Sequence, residues 1–285
     1  MYDGIRKIAD RLACPQCRTA LAPGTGFFSC AACGVAYPVT EGILDMRKPA
    51  DREKAESVDW GRHWGEEHQG GMAQKFFSAY RKHVFARTVA YFLDRYFPEK
   101  GIFVEVGSGT AETSVRVDKR DCARVLVALD IVFPVLTHCD PVMDARICAD
   151  GFRLPFRDAS LDGIWNLGVM EHFTHDQIDE MMSGFRRVLR PGGRVILFWP
   201  AKNSVPQKML QAAAWVINLK KREKRFRFHP DEISQLQSNR QARAVMARNG
   251  FTPLHVDWGF ASGMAFKSVV GEKSAEPQIL AAVSS

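Results

Sequence analysis

Residues 103–114, Phe-Val-Glu-Val-Gly-Ser-Gly-Thr-Ala-Glu-Thr-Ser, constrain the fold of this chain more than any other stretch. An apolar run ends in Glu105, passes through a tight turn at Gly107 and Gly109, and predicts a helix start around Thr110–Thr113. A buried strand, a turn that admits a ligand close to the backbone, and a helix N-terminus are how a doubly wound α/β domain holds a nucleotide-like ligand at its strand ends. A dinucleotide fold favours Gly-x-Gly-x-x-Gly. Here the residue three after Gly109 is Glu112, which argues against a pyrophosphate cradle. Glu105 suits a ligand with positive charge and no phosphate; S-adenosylmethionine, with its sulfonium and ammonium groups, is one. Two glycines after a strand also make an ordinary βα turn, so the downstream chain decides.

Downstream, strands and helices alternate. Val125–Leu129 is a second apolar run ending at Asp130, an acid able to accept two hydrogen bonds from a ribose diol. Ala145–Ala149 reads as a short third strand ending at Asp150, which could accept from an adenine amine. Leu161–Leu167 is the fourth strand, leading into Gly168 and Glu171-His172. Thr174-His-Asp-Gln177 has the form of a capping box, opening a helix through Leu189 that Arg190-Pro-Gly-Gly193 stops. Val195–Trp199 is the fifth strand. A helix near Asp231–Arg248, with Pro230 in its first turn and Gly250 as its stop, precedes a closing hairpin of Pro253–Trp258 and Ala265–Gly271. Upstream, apolar residues from Phe76 to Tyr96 recur at helical spacing and predict a long amphipathic helix ended near Pro98.

Cys14-Pro-Gln-Cys17 and Cys30-Ala-Ala-Cys33 stand twelve residues apart near the N-terminus. Each Cys-x-x-Cys turn can aim two thiolates at one point, and two such turns complete a tetrahedral sulfur set for zinc. Four protein ligands close the sphere, which makes the metal structural. A module this small needs such a staple to fold. The segment resembles the Trm112-like zinc ribbon in Leu12-Ala-Cys-Pro-x-Cys17, Cys30-x-x-Cys-Gly34 and Tyr37-Pro-Val-x-x-Gly-Ile43. The resemblance implies a ribbon that supports a methyltransferase.

Residues 100–200 resemble a class I S-adenosylmethionine-dependent methyltransferase, of the type 11 group that includes ubiquinone- and menaquinone-pathway enzymes. Val104-Glu-Val-Gly-Ser-Gly109, Ala128-Leu-Asp130, Ala149-Asp150 with Leu154-Pro-Phe156, Ser160-Leu-Asp162, Glu171-His172 and Leu189-Arg-Pro-Gly-Gly193 carry it by their order and spacing. It implies an α/β, Rossmann-like sheet of seven strands, the last antiparallel, with helices on both faces. Glu105, Gly107 and Gly109 would line the methionine end, Asp130 the ribose, Asp150 the adenine, and Asn166 to Gly168 the floor beneath the sulfonium. Ser108, Ile131, Gly151 and Leu167 complete the cofactor-binding candidates. Ala111 departs from the pattern, standing where many members have a third glycine.

The domain plan that follows is a ribbon over 1–48, a linker and helical lid over 49–98, the methyltransferase domain over 99–275 and a tail over 276–285. Trp60, His63 and Trp64 in the linker either dock on the domain or close over the cofactor. The net charge of +7 is concentrated: Pro200–His229 carries eight Lys or Arg against one acid, Glu223. With its apolar residues around Trp215, this substrate-side insertion suits a small or lipid-like, anionic acceptor, or a peripheral contact with an anionic membrane. No apolar run is long enough for a membrane span and no signal core opens the chain, so a cytoplasmic protein is expected, consistent with cysteines kept for metal. Methyl transfer needs a base only when the acceptor must lose a proton, and His172 is the best-placed candidate. Two other readings stay open. One is an RNA base methyltransferase, although the fifth strand ends in Phe198-Trp-Pro200 and lacks an Asn-Pro-Pro-Tyr-type motif. The other is a non-catalytic adaptor.

Overall fold

A computed structural model describes residues 3–48, 78–119, 123–200, 233–234, 236–258 and 266–274. Strands β5 (Lys100–Val106), β6 (Ala123–Asp130), β7 (Ala145–Cys148), β8 (Leu161–Leu167) and β9 (Leu189–Pro200) are parallel neighbours in the spatial order β7-β6-β5-β8-β9. Their cores are apolar at nearly every position because the sheet is covered on both faces. β10 (Phe251–Asp257) and β11 (Phe266–Lys273) form an antiparallel hairpin, and β11 inserts between β9 and β10. The antiparallel closing hairpin expected from the sequence is therefore present, as are the five preceding strands.

One face packs Phe103, Trp165, Phe198 and Val270 against Val89, Phe92 and Leu93 of helix α2 (Ala86–Tyr96) and against Leu136 of α3 (Phe133–Thr137). The opposite face packs Val104, Val127, Ile164 and Leu197 against Ile178, Met182 and Phe185 of α4 (His175–Val188) and Val245 and Met246 of α5 (Asn239–Arg248). The first described element, α1, spans Asp3–Arg6. The predicted capping box forms: the Thr174 hydroxyl accepts from the Gln177 N–H, and Gln177 reaches back to the Thr174 N–H at 3.0 Å.

Three expectations are corrected. No helix follows the glycine turn; residues 107–119 run through successive turns. The side chains that could cap a helix there are drawn instead to Glu105. The last helix begins at Asn239, not near Asp231, because the Ser238 hydroxyl takes the Gln241 N–H at 3.1 Å and caps it. Ahead of α2, the predicted single long helix is broken by a π-helical turn at Arg81–Phe85. Phe76, Phe77, the Trp60–Trp64 group and the basic stretch 201–230 lie outside the described residues.

The cysteine-bearing segment was expected as a separate module but shares the core. Its short strands β1 (Ala22–Pro23), β2 (Phe27–Ser29), β3 (Ala36–Thr40) and β4 (Ile43–Asp45) pair antiparallel in sequence order. β4 then pairs in parallel with β7, Leu44 opposite Ile147, so the described strands form one eleven-stranded sheet. The Met46 N–H donates to Cys148 O at 2.8 Å, and Ala13 N–H to Pro155 O at 3.0 Å. Leu12, Tyr37 and Leu44 are fully buried in the same apolar cluster as Ile147 and Phe156. Covering β7 removes an exposed parallel edge that would otherwise invite pairing with other chains.

Candidate cofactor site and cysteine cluster

The C-terminal ends of β5, β6, β7 and β8 bring the predicted residues to one end of the sheet. The turn after β5 is anchored to β6: Gly107 and Ser108 both donate to Leu129 O, at 2.8 and 3.2 Å. Gly107 has φ +71°, and a Cβ there would lie 2.5 Å from Val169 Cγ2, so the turn packs directly on the loop after β8. Gly109 follows with φ +54° and Ala111 with φ +56°. Ala111 thus adopts the left-handed conformation that glycine takes without penalty, at a cost of about 1–2 kcal/mol. Its methyl is fully buried against the α2 side of the sheet, which helps hold it there.

Asp130 ends β6 and is buried. Its Oδ2 accepts from the Gly109 N–H at 2.8 Å and its Oδ1 from the Val132 N–H at 2.9 Å. One carboxylate therefore ties the glycine turn to its own strand end. Burial raises its pKa, opposed by these backbone hydrogen bonds. Each oxygen still has a lone-pair site after accepting one bond, so the group retains capacity for a diol. Ile131, next in sequence, is 40 % exposed, an apolar surface beside that carboxylate. Asp150 lies two residues past β7, its Oδ1 accepting from the Phe152 N–H at 2.9 Å, and half-buried Gly151 separates the two.

Glu105 is placed differently from a simple ligand-facing acid. It is buried, and its oxygens accept from the hydroxyls of Thr113 at 3.2 Å and Ser114 at 2.8 Å. It therefore folds the loop back onto the strand, which accounts for the absent helix. Burial pushes its carboxyl up to about 7, against the pull of these hydroxyls and of Arg81. Neither hydroxyl stood out in the sequence, since Thr and Ser after a glycine turn read as helix caps. Glu112 is likewise engaged, accepting from the Ser78 hydroxyl at 2.8 Å and pairing with Lys82 at 3.2 Å.

At the end of β8, Asn166 is fully buried and neither of its amide atoms has a hydrogen-bond partner. Leu167 and Gly168, the latter at φ +71°, are half-buried. Met170–His172 form a 3-10 turn whose Glu171 carbonyl accepts from Ile233 and Ser234 N–H groups. His172 Nε2 lies 3.6 Å from Glu171 Oε1, and both side chains are largely buried, at 8 % and 5 % exposure. The arrangement joins a carboxylate to an imidazole at the strand end but leaves that imidazole little open surface.

The donor set fits S-adenosylmethionine. The strand ends offer carboxylates at Asp130 and Asp150 for hydroxyl and amine donors. The Thr110 hydroxyl is buried in the glycine turn without a partner, an unsatisfied polar atom of the kind a polar ligand or water completes.

In the cysteine-bearing segment, the Sγ atoms of Cys14, Cys17, Cys30 and Cys33 all lie within 4.8 Å of one another. Cys17 and Cys30 are 3.4 Å apart, Cys14 and Cys33 4.0 Å. Four sulfurs about 2.3 Å from a tetrahedral metal stand roughly 3.8 Å from each other, so the cluster has the dimensions of such a site. Tyr37 approaches Cys14 Sγ at 3.1 Å from the buried interior, a polar contact beyond the four sulfurs.

Comparison with known proteins places this geometry. Residues 104–197 match the model of the methyltransferase domain family (methyltransferase type 11). A malonyl-[acyl-carrier protein] O-methyltransferase from Xylella fastidiosa is 32% identical over 108 residues, 35% of each chain; this chain thus spans about a third of that relative. Among solved structures, magnesium protoporphyrin IX methyltransferase from Synechocystis with bound S-adenosylhomocysteine superposes with a TM-score of 0.52 at 14% identity, covering 80% of this chain and 100% of that one. A possible exported protein from Bordetella parapertussis gives a TM-score of 0.52 at 20% identity, covering 68% and 67%. Residues 104–197 thus match a methyltransferase-domain model, and the chain shares its α/β fold with the S-adenosylhomocysteine-bound methyltransferase.

Proposed function

We propose that this protein transfers a methyl group from S-adenosylmethionine to a small-molecule or lipid-like acceptor, with an anionic acceptor favoured. The observation that carries the reading is Asp130, whose carboxylate braces the glycine turn while keeping acceptor capacity for a ribose. The methyltransferase-domain match over 104–197 supports it. In the site, Asp130 would hold the ribose, Asp150 the adenine, and the Gly107–Gly109 turn would lie along the amino-acid end. The cofactor supplies an electrophilic methyl group. The chain's own part is positioning and the exclusion of water. His172, steadied by Glu171, would take a proton from an acceptor hydroxyl or carboxyl that must lose one.

The Xylella relative is a malonyl-[acyl-carrier protein] O-methyltransferase. The basic content of residues 200–230 agrees with an anionic acceptor. No helix among the described residues is long and apolar enough to cross a membrane; we place the protein in the cytoplasm, with peripheral membrane contact as the route to lipid acceptors. Zinc held by Cys14, Cys17, Cys30 and Cys33 would be structural, since four protein sulfurs leave no open position. In this reading residues 1–48 form a cysteine-bearing unit joined to the catalytic part (99–275) through the β4–β7 pairing.

Methyl uptake tests the reading: the protein is incubated with methyl-labelled S-adenosylmethionine and separate panels of anionic small acids, phospholipids and RNA. Label in a small or lipid-like acceptor supports it. Label in RNA alone would replace it with the base-methyltransferase reading, and none in any panel with an intact cofactor site would favour an adaptor.

A further inference from the structure

The four clustered sulfurs are not equivalent. Cys17 and Cys33 are exposed, whereas Cys14 and Cys30 are buried. Cys14 stands at the junction with the part of the chain that carries the candidate cofactor site. The Arg157 N–H donates to Arg11 O at 2.8 Å, Leu12 bridges to Phe156, and the Ala13 N–H donates to Pro155 O at 3.0 Å. The three residues before Cys14 are therefore fixed by the loop after β7. On the interior side stands Tyr37 of β3, fully buried in the apolar cluster that holds Leu12, Ile147 and Phe156. Its hydroxyl lies 3.1 Å from Cys14 Sγ, its hydrogen-bond partner among the described residues. Phenylalanine would fill the same space, and a buried hydroxyl costs free energy unless it is bonded. The other sulfur contacts are longer and more open: Cys30 Sγ accepts from the Cys33 N–H at 3.4 Å, and Cys17 meets the exposed Thr19 hydroxyl at 3.4 Å.

A cysteine that ligates a metal is a thiolate. Once Cys14 is one, only the hydroxyl can donate, and the bond becomes charge-assisted. Four thiolates outweigh one divalent ion, so the loaded site keeps negative charge that burial penalises and a donor relieves. The bond is stronger with metal than without, and that difference adds to metal affinity.

We propose that Tyr37 is a positioning residue for the metal: its hydroxyl donates to the Cys14 thiolate, fixes that corner of the site and raises zinc affinity from within the shared core. The assignment rests on the four-sulfur zinc reading above.

Zinc affinity of the full chain, of Tyr37→Phe and of Thr19→Val tests it, measured by competition with a chromophoric chelator and with circular dichroism to follow folding. The cobalt(II) forms supply thiolate-to-metal charge-transfer spectra. Tyr37→Phe should bind zinc at least about tenfold more weakly, the scale of a lost contact behind a metal ligand. Its cobalt band should move to lower energy, because a hydrogen bond stabilises the sulfur electrons that the transition displaces. Thr19→Val, at the exposed corner, should stay within about twofold of wild type. Unchanged zinc affinity in Tyr37→Phe, an unmoved cobalt band, or an equal loss in Thr19→Val would overturn the assignment. Should Tyr37→Phe not fold, protein produced with 3-fluorotyrosine, a stronger donor, decides: its cobalt band should move to higher energy, and no movement refutes the contact. Wild type that binds neither zinc nor cobalt would defeat the four-sulfur reading itself, and Tyr37's part with it.

Discussion

Glu105→Gln should make the protein more stable above neutral pH while weakening its cofactor. In the folded chain, burial raises the Glu105 carboxyl from its ordinary 4.5 to about 7. Between those values the folded state holds a proton that the unfolded state has released, so unfolding free energy falls as pH rises. At 1.36 kcal/mol per tenfold, the window from 4.5 to about 7 amounts to roughly 3 kcal/mol. This difference is absent below pH 4.5 and complete above about 7. Glutamine has the same shape and no charge. Its carbonyl can accept from one of the Thr113 and Ser114 hydroxyls and its amide can donate to the other, because hydroxyls serve in both roles. Urea unfolding of wild type and variant at pH 5, 6, 7 and 8 measures the difference. The variant's advantage should be small at pH 5 and grow to the order of 3 kcal/mol at pH 8. Affinity for S-adenosylmethionine should fall, because the buried negative charge is retained for a cationic ligand at the expense of stability. A variant less stable than wild type at pH 8, or an advantage that does not grow with pH, would refute the reasoning.

Other consequences concern single side chains. Arg124 is buried and donates to Asp94 at 2.7 Å and to the carbonyls of Phe97 and Pro98 at 3.0 and 2.9 Å, so it caps α2 from strand β6; Arg124→Ala should destabilise by about 2–4 kcal/mol, read as a lowered urea midpoint. Asp144 has its pKa lowered: burial pushes it up, but the Leu126 N–H, Lys7 and Lys119 together outweigh burial. Its contribution is present above the ordinary carboxylate pKa and lost as pH falls through its lower folded value, so Asp144→Asn should lose about 1–3 kcal/mol at pH 7 and progressively less as the pH is lowered below the ordinary carboxylate range, measured by thermal unfolding. His172→Ala should slow methyl transfer at least about tenfold with cofactor affinity unchanged; equal turnover would remove it from the chemistry. Cys17→Ser should reduce bound zinc, measured by elemental analysis, and lower the melting temperature, whereas unchanged metal content would refute a four-sulfur site.

How much of this could be read from sequence depended on range. The parallel strands were legible because burial on both faces favours apolar runs, clearest at Val125–Leu129. Thr174 to Gln177 was readable because a capping box is entirely local. Ser238-Asn-Arg-Gln241 carries the same kind of signal, yet Pro230 drew the helix start too far upstream. The β4–β7 pairing left no trace, since a three-residue strand joined through main-chain hydrogen bonds has no side-chain signature. Arg124 carries no local sequence signal, and its role appears only when α2 ends above it. Within the site, Asp130 stood out by position, but Glu105 was assigned to the ligand without its partners. The hydroxyls that hold it lie eight and nine residues on, in a loop that looked helical. Asp162 carried the family resemblance, and in the fold its Oδ2 accepts from the Ile102 N–H at 2.7 Å and pins the start of β5.

The central claim, a cofactor site organised by Asp130, is tested most directly by calorimetric titration of zinc-replete protein with S-adenosylmethionine, beside Asp130→Ala. The account predicts saturable one-to-one binding by wild type and at least about tenfold weaker binding by the variant, since both the ribose contact and the brace on Gly109 are lost. Absence of binding by folded wild type, or equal affinity in the two proteins, would contradict it.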